Sequence, residues 1–293
     1  MDIRRTEGRF EAVGGRSLFR RAWLAEEPER VLVVAHGFAE HSGRYEAFGR
    51  WFAESGCAVH AYDHQGHGRS MGPRNYVACF ADYLDDLGAF LEVVVREHPG
   101  LDVVLVGHSM GGLITAGFTR ECKPDVLGVV LSGPALALAP ALSGPRLWFV
   151  KLLRHVAPRL LTDAGLPAAG LSRDPEVQRL YEEDPLVDTR VTPALALAML
   201  EAGERTAAGG EEVEVPMLLL HGADDPLCSP SGSEAFFASL PEGSAPPSQM
   251  KVYPGLLHEI FNEPEREEVF ADLLGWVRSL EECRPSRATG ARA

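Results

Sequence analysis

The segment Gly107-His108-Ser109-Met110-Gly111 sets a serine between two glycines, directly after the apolar run Val103–Val106 and before an apolar helix pattern near Gly112–Cys122. In that setting Gly-x-Ser-x-Gly makes a sharp strand-to-helix turn that presents the hydroxyl above a sheet edge. An ordinary glycine-rich turn is the plain alternative. A serine hydroxyl is a poor nucleophile at its free pKa, so it needs a base, and the base needs an orienting acid. In hydrolases built on such a sheet the order along the chain is serine, acid, histidine. Both partners follow short apolar runs. His221-Gly222-Ala223-Asp224-Asp225-Pro226 comes after Pro216–Leu220, and Pro254-Gly255-Leu256-Leu257-His258 comes after Met250–Tyr253. Of the ten histidines only His258 lies beyond the acidic loop, which makes it the base candidate. Asp224 and Asp225 stay equivalent at this level. An oxyanion needs backbone N–H donors. Met110 offers one, and Phe38, in His36-Gly37-Phe38 after Val31–Ala35, offers a second, although His-Gly reads equally well as a strand-ending turn.

To meet, these residues need one scaffold. Short apolar runs alternate with longer amphipathic stretches, the pattern of β/α units around a mostly parallel sheet. Arg9–Val13 and Ser17–Leu24 flank Gly14-Gly15 as a hairpin. Buried strands are predicted at Val31–Ala35, Ala58–Tyr62, Val103–Val106, Gly128–Leu131, Pro216–Leu220 and Met250–Tyr253. Helices are predicted around Tyr45–Glu54, Phe80–Glu97, Gly112–Cys122 and Pro264–Leu280. The alternation breaks between about Ala135 and Glu212, an Ala-, Leu- and Pro-rich interval without a clear strand and too long for an ordinary connection. It reads as a helical cap, residues 135–212, inserted between the sixth and seventh strands of a core made of residues 1–134 and 213–293. The polar, basic tail from Cys283 to Ala293 is expected to fray.

With these residues in hand, the chain resembles the monoacylglycerol lipase and lysophospholipase group of the α/β-hydrolase superfamily. His36-Gly37-Phe38-Ala39-Glu40-His41-Ser42-Gly43-Arg44-Tyr45 is similar to the segment after that group's third strand, and Asp63-His64-Gln65-Gly66-His67-Gly68-Arg69-Ser70 to its next strand end. Gly107–Gly111 resembles its nucleophile elbow, His221–Asp225 its acid loop and Tyr253–Glu263 its histidine loop. The resemblance implies an α/β-hydrolase fold with Ser109 as nucleophile, His258 as base, Phe38 and Met110 as oxyanion donors, and no cofactor. It selects Asp225 over Asp224, because the family's aspartate stands four residues after the histidine of His-Gly. It also implies that Glu40 and Arg44 line the alcohol pocket, where by themselves they read as a surface ion pair worth about 1 kcal/mol or less. Cys228 matches a cysteine beside the active site in some members. Phe261 departs from the pattern, standing where some members carry a glycerol-contacting histidine. His60, Asp63, His64 and His67 look like metal ligands in isolation, but the stretch matches the hydrolase turn, and no metal is expected.

Composition sets the remaining bounds. The 293 residues are 45% hydrophobic and 24% charged, an ordinary globular balance that excludes intrinsic disorder and a disulfide-stapled miniprotein. A formal charge of −14 repels phosphate backbones, so nucleic acid is not an expected partner. Five scattered cysteines without a Cys-x-x-Cys pair argue against a disulfide framework and a structural zinc site, and all but Cys228 read simply as reduced thiols. No apolar run reaches membrane-span length, and the start lacks the apolar stretch of a secretory signal, which predicts a cytoplasmic protein. Val126 to Thr162 contains no Asp or Glu. Within it Trp148, Phe149, Leu152, Leu153 and Val156 recur at helical spacing, with Lys151 and Arg154 opposite. Such a helix can lie on a lipid surface as a peripheral contact; the favoured expectation is that its apolar stripe packs on the core and covers the crevice. The expected reaction is ester hydrolysis on a single-chain lipid, most simply monoacylglycerol, through an acyl-serine. A lysophospholipase, a broad carboxylesterase, a peptidase releasing small N-terminal residues and a non-catalytic lipid-binding relative are the alternatives. Oligomeric state is not specified by the sequence.

Overall fold

The computed structural model describes residues 3–137, 144–243 and 247–283. The polar tail beyond Cys283 and part of the entry to the expected cap fall outside these residues. Eight strands form one sheet: β1 (Arg4–Ala12), β2 (Arg16–Leu24), β3 (Arg30–Ala35), β4 (Cys57–Tyr62), β5 (Asp102–His108), β6 (Gly128–Ser132), β7 (Met217–Gly222) and β8 (Gln249–Tyr253). Their order is β1-β2-β4-β3-β5-β6-β7-β8. The β1–β2 hairpin pairs antiparallel, β2 pairs antiparallel with β4, and the remaining neighbours are parallel.

The central strands are short apolar runs because both faces are covered. Val31, Val33 and Ala35 of β3 point into one core layer with α2 (Ala81–Glu97) and α3 (Met110–Cys122). Leu32 and Val34 point into the other, with α1 (Glu46–Glu54) and α8 (Arg266–Cys283). Period-two alternation thus survives as a choice between two apolar layers rather than between core and water.

Between β6 and β7 the chain forms α4 (Gly144–Val156), α5 (Pro175–Glu183) and α6 (Pro193–Ala207). Contrary to the strand-free expectation, Thr162–Asp163 also pairs antiparallel with Arg190–Val191. α4 departs from the favoured expectation. Arg154 faces α6 and pairs with Glu201 at 3.1 Å, while Trp148, Phe149, Leu152 and Val156 stand 66, 54, 42 and 68% exposed. Four of the five stripe residues thus face solvent rather than the core; Leu153 is half-buried, and Lys151 is exposed as well. A helix the sequence did not announce, α7 (Pro230–Ser239), follows β7. Among the described residues no helix is long and apolar enough to cross a membrane.

Candidate active site

The ends of β3, β5, β7 and β8 deliver the candidate residues to one edge of the sheet. Ser109 follows β5 directly and starts α3 at φ 53°, ψ −119°. That left-handed conformation in a non-glycine residue is costly and is held from outside. The Ser109 N–H donates to Ser132 O (3.0 Å), and its carbonyl accepts from Leu113 and Ala135 (both 3.0 Å). The glycines admit the close approach. A Cβ on Gly111 would stand 2.1 Å from the Ala35 carbonyl oxygen, and one on Gly107 would stand 2.5 Å from the Gly111 carbonyl oxygen.

The first turn of α3 and the loop after β3 each leave an N–H without a hydrogen-bond partner among the described residues, at Met110 and Phe38. The loop carrying Phe38 is braced on several sides. His36 Nε2 accepts the His64 N–H (2.9 Å), so Nδ1 carries the ring proton and donates to Gly37 O (2.7 Å). His64 returns a bond from Nε2 to His36 O (2.9 Å). Ala39 takes φ 59°, and the Gly37 N–H donates to Glu40 Oε1 at 2.5 Å. Asp63 accepts from the Ser42 N–H (2.8 Å) and the Arg69 N–H (2.8 Å), tying the β4 end to the same loop. Burial lowers the pKa of His64 to about 3 and His67 to about 4, and that of His36 well below the ordinary range, so these rings are neutral struts.

Asp225 and His258 meet at 2.7 Å, Nδ1 to Oδ2. Asp224 is exposed on the same turn, its N–H donating to Leu256 O. Asp225 Oδ1 accepts the N–H groups of Leu227 (2.8 Å) and Cys228 (2.9 Å), and Oδ2 accepts a second imidazole N–H, from His221 Nε2 (3.1 Å). Burial disfavours this carboxylate's charge, but the His221 and His258 bonds outweigh it and hold its pKa far below the usual range. Burial likewise pulls His258 down, and the Asp225 carboxylate more than offsets that, leaving the imidazole pKa raised. The ring of His108, the residue before Ser109, lies 4.8 Å from that of His258. His108 is neutral, its pKa lowered to about 3 by burial.

The Ser109 hydroxyl makes no hydrogen bond to His258; it lies beside the buried Cys228 thiol, whose pKa burial pushes well above the ordinary value. An acid, an imidazole and a hydroxyl thus stand at one edge of the sheet, around Cys228, with two free N–H groups on the neighbouring turns. That set can run acyl transfer.

Glu40 and Arg44 do not form a surface pair. Both are largely buried, and Arg44 bridges Glu40 (3.3 Å) and Glu259, the residue after His258, with Nη2 2.8 Å from Glu259 Oε2. Burial raises the Glu40 pKa, with Arg44 opposing. Tyr45 donates to Glu40 (2.9 Å), and the Arg44 guanidinium lies 4.8 Å from the Tyr181 ring of α5. Phe261 packs against Phe48 and Phe270 and offers no polar atom. Sequence reasoning did not foresee the parts played by Glu259 and His221; their signal was only their position within the two loops already singled out. The four residues that resembled a metal cluster part company. His64, His67 and Asp63 brace loops, while His60 faces His98 (Nε2 to Nε2 2.8 Å) beside Glu97, itself held by Arg20. That pairing and an unpartnered His60 Nδ1 leave a poor ligand set, because ligating imidazoles normally donate from the other nitrogen.

Comparison with known proteins places the fold in a family. A family model described as "Serine aminopeptidase, S33" matches residues 26–265. A monoacylglycerol lipase of Mycolicibacterium smegmatis is 35% identical over 94% of this chain and 98% of its own length. Phospholipase YtpA of Bacillus subtilis is 30% identical over 85% of this chain and 95% of its own. Among solved structures, the Paleococcus ferrophilus monoacylglycerol lipase superposes with a TM-score of 0.78 at 30% identity, covering 96% of this chain and all of that one.

Proposed function

The chain belongs to the serine aminopeptidase S33 family of α/β-hydrolases, and from that premise we propose that it hydrolyses carboxylic esters of single-chain lipids, with monoacylglycerol, cleaved to fatty acid and glycerol, as the leading substrate. The observation that carries this reading is the 2.7 Å contact between Asp225 and His258 beside a serine on a strained elbow with two unpartnered N–H groups. The reaction requires the Ser109 hydroxyl to turn from the Cys228 side to His258 Nε2, a contact that commonly tightens only with substrate. Ser109 Oγ then attacks the ester carbonyl while His258 Nε2 accepts its proton. Asp225 holds the Nδ1–H tautomer and stabilises the imidazolium. The N–H groups of Phe38 and Met110 receive the oxyanion. Collapse breaks the bond to the alcohol, which leaves with the proton from His258. Water, deprotonated by the same imidazole, attacks the acyl-serine; the bond to Ser109 Oγ breaks, Oγ takes back the proton from His258, and the fatty acid departs. Each step draws only on these groups and water.

Residues 135–212 act in this reading as a cap over the crevice, with α5 reaching the site through Tyr181, and Glu40 and Arg44 stand on the alcohol side. The exposed stripe of α4 supports peripheral contact with the lipid that carries the substrate. The phospholipase relative favours a second reading, hydrolysis of lysophospholipids. The apolar Phe261 weakens a strict glycerol preference. A hydrolysis panel of monoacylglycerols, lysophosphatidylcholines and short p-nitrophenyl esters of matched acyl length, run beside Ser109→Ala, separates these. Ser109-dependent cleavage with monoacylglycerol fastest is expected; faster lysophospholipid cleavage selects the second reading, and turnover that survives Ser109→Ala rejects both.

A further inference from the structure

His221 is fully buried at the end of β7, and every polar atom of its ring is used. Nε2 faces Asp225 Oδ2 (3.1 Å) and Cys228 O (3.0 Å). Both are acceptors, so Nε2 carries the proton and donates, and Nδ1 is left to accept from the buried Ser233 hydroxyl of α7 (2.8 Å). The tautomer therefore follows from the chemistry of the neighbours. Asp225 Oδ2 receives two imidazole protons, one from His258 and one from His221, while Oδ1 receives two backbone N–H groups. A carboxylate held by four donors cannot swing out of plane, and each donor draws charge from the oxygen that faces His258.

We propose that His221 is a positioning residue for the hydrolytic reaction: its Nε2–H fixes the Asp225 carboxylate and, by sharing Oδ2, moderates how strongly Asp225 holds the His258 imidazolium. The proposal rests on the serine-hydrolase reading but concerns the Asp225–His258 pair itself. Ser233 and the Cys228 carbonyl act through His221, which links α7 and the acid turn to the base. The physical logic is that of any shared acceptor. Remove one donor, and the remaining one is bound more tightly and gives up its proton less readily.

Two amides of different reach make the test. His221→Gln extends an N–H to about the place of Nε2, whereas His221→Asn stops near Nδ1, keeping a partner for Ser233 but not for Asp225. His221→Phe serves as a second donor-free variant should the asparagine protein not fold. The His258 Nδ1 proton is followed by NMR against pH, together with the pH dependence of Ser109 labelling by a fluorophosphonate. In the Asn variant the His258 titration midpoint and the acid limb of labelling are expected to move up by about 0.5 to 1 pH unit, a roughly three- to tenfold gain in imidazole basicity. In the Gln variant both should stay near wild type. A merely structural role would lower the folded fraction in both variants and leave the midpoint in place. A midpoint unchanged or lowered in the folded Asn protein, or displaced equally in both, overturns the proposal. Because the NMR midpoint needs no turnover, a wild type that fails to react with the fluorophosphonate counts against the hydrolase reading alone.

Discussion

At the residue scale the site is decided by which atoms are buried together. Asp224 and Asp225 are adjacent and chemically identical, yet one turn sends Asp224 to water and Asp225 against His258. The consequence is measurable. With Asp225 in place the His258 pKa lies above that of a free imidazole, so the neutral base is lost as pH falls through a value above the ordinary one. Below that point kcat/KM should fall about tenfold per pH unit. Asp225→Asn removes the charge that offsets burial. The limb should then move to lower pH, while kcat drops by about ten-thousand-fold because the wrong tautomer is favoured. Asp224→Asn should change neither. Equal losses in the two variants, read from pH–rate profiles of a p-nitrophenyl ester, would exclude Asp225 as the orienting acid. The serine, the histidine and the acidic loop were legible because their order and their places after strands are properties of sequence. The choice between the two aspartates was not. It depends on a turn whose hydrogen bonds from Leu227 and Cys228 to Asp225 exist only in three dimensions, and the family resemblance, not the residues alone, made it.

At the scale of elements, the strands and the helical interval between β6 and β7 were legible, and the facing of the helices in that interval was not. A strand covered on both faces must be apolar throughout, so β3 to β7 announce themselves as short runs. α7 carries Pro-Ser-Gly-Ser at its start, a loop-like composition that tertiary packing overrides: Phe236 is buried and Ser233 faces His221. The exposure of the apolar stripe of α4 was not legible for a related reason. Periodicity gives an apolar face but not the side it turns to, and the partly exposed Arg154–Glu201 pair links α4 to α6. The elbow is the element where packing is least forgiving. A methyl group on Gly111 would meet the backbone oxygens of Ala35 at 2.1 Å and His36 at 2.4 Å, neither of which can rotate aside. Gly111→Ala must push α3 away from β3, carrying Met110 with it. The expected cost is more than about 2 kcal/mol in urea denaturation, with loss of fluorophosphonate labelling in whatever remains folded. Wild-type stability in this variant would mean that α3 and β3 are not in the contact described.

At the scale of the whole molecule, charge and exposed apolar surface pull in opposite directions. The chain carries a formal −14, which repels an anionic bilayer, yet α4 turns Trp148, Phe149, Leu152 and Val156 to solvent. Burying such a side chain fully yields about 1.5–3 kcal/mol, so four partly exposed ones can outweigh a screened, distant repulsion. The stripe lies within the acid-free interval, so the repelling carboxylates of the chain are kept out of that stretch of sequence. If apolar burial is the driving force, vesicle flotation should show binding to zwitterionic phosphatidylcholine. Raising salt should strengthen rather than weaken binding to vesicles with anionic lipid, because screening removes repulsion instead of attraction. Trp148→Asp with Phe149→Asp should cut the bound fraction by at least tenfold while cleavage of a soluble p-nitrophenyl ester stays within about twofold of wild type. Binding that weakens with salt would point to the cationic groups instead, and unchanged partitioning of the double variant would remove α4 from the lipid contact altogether.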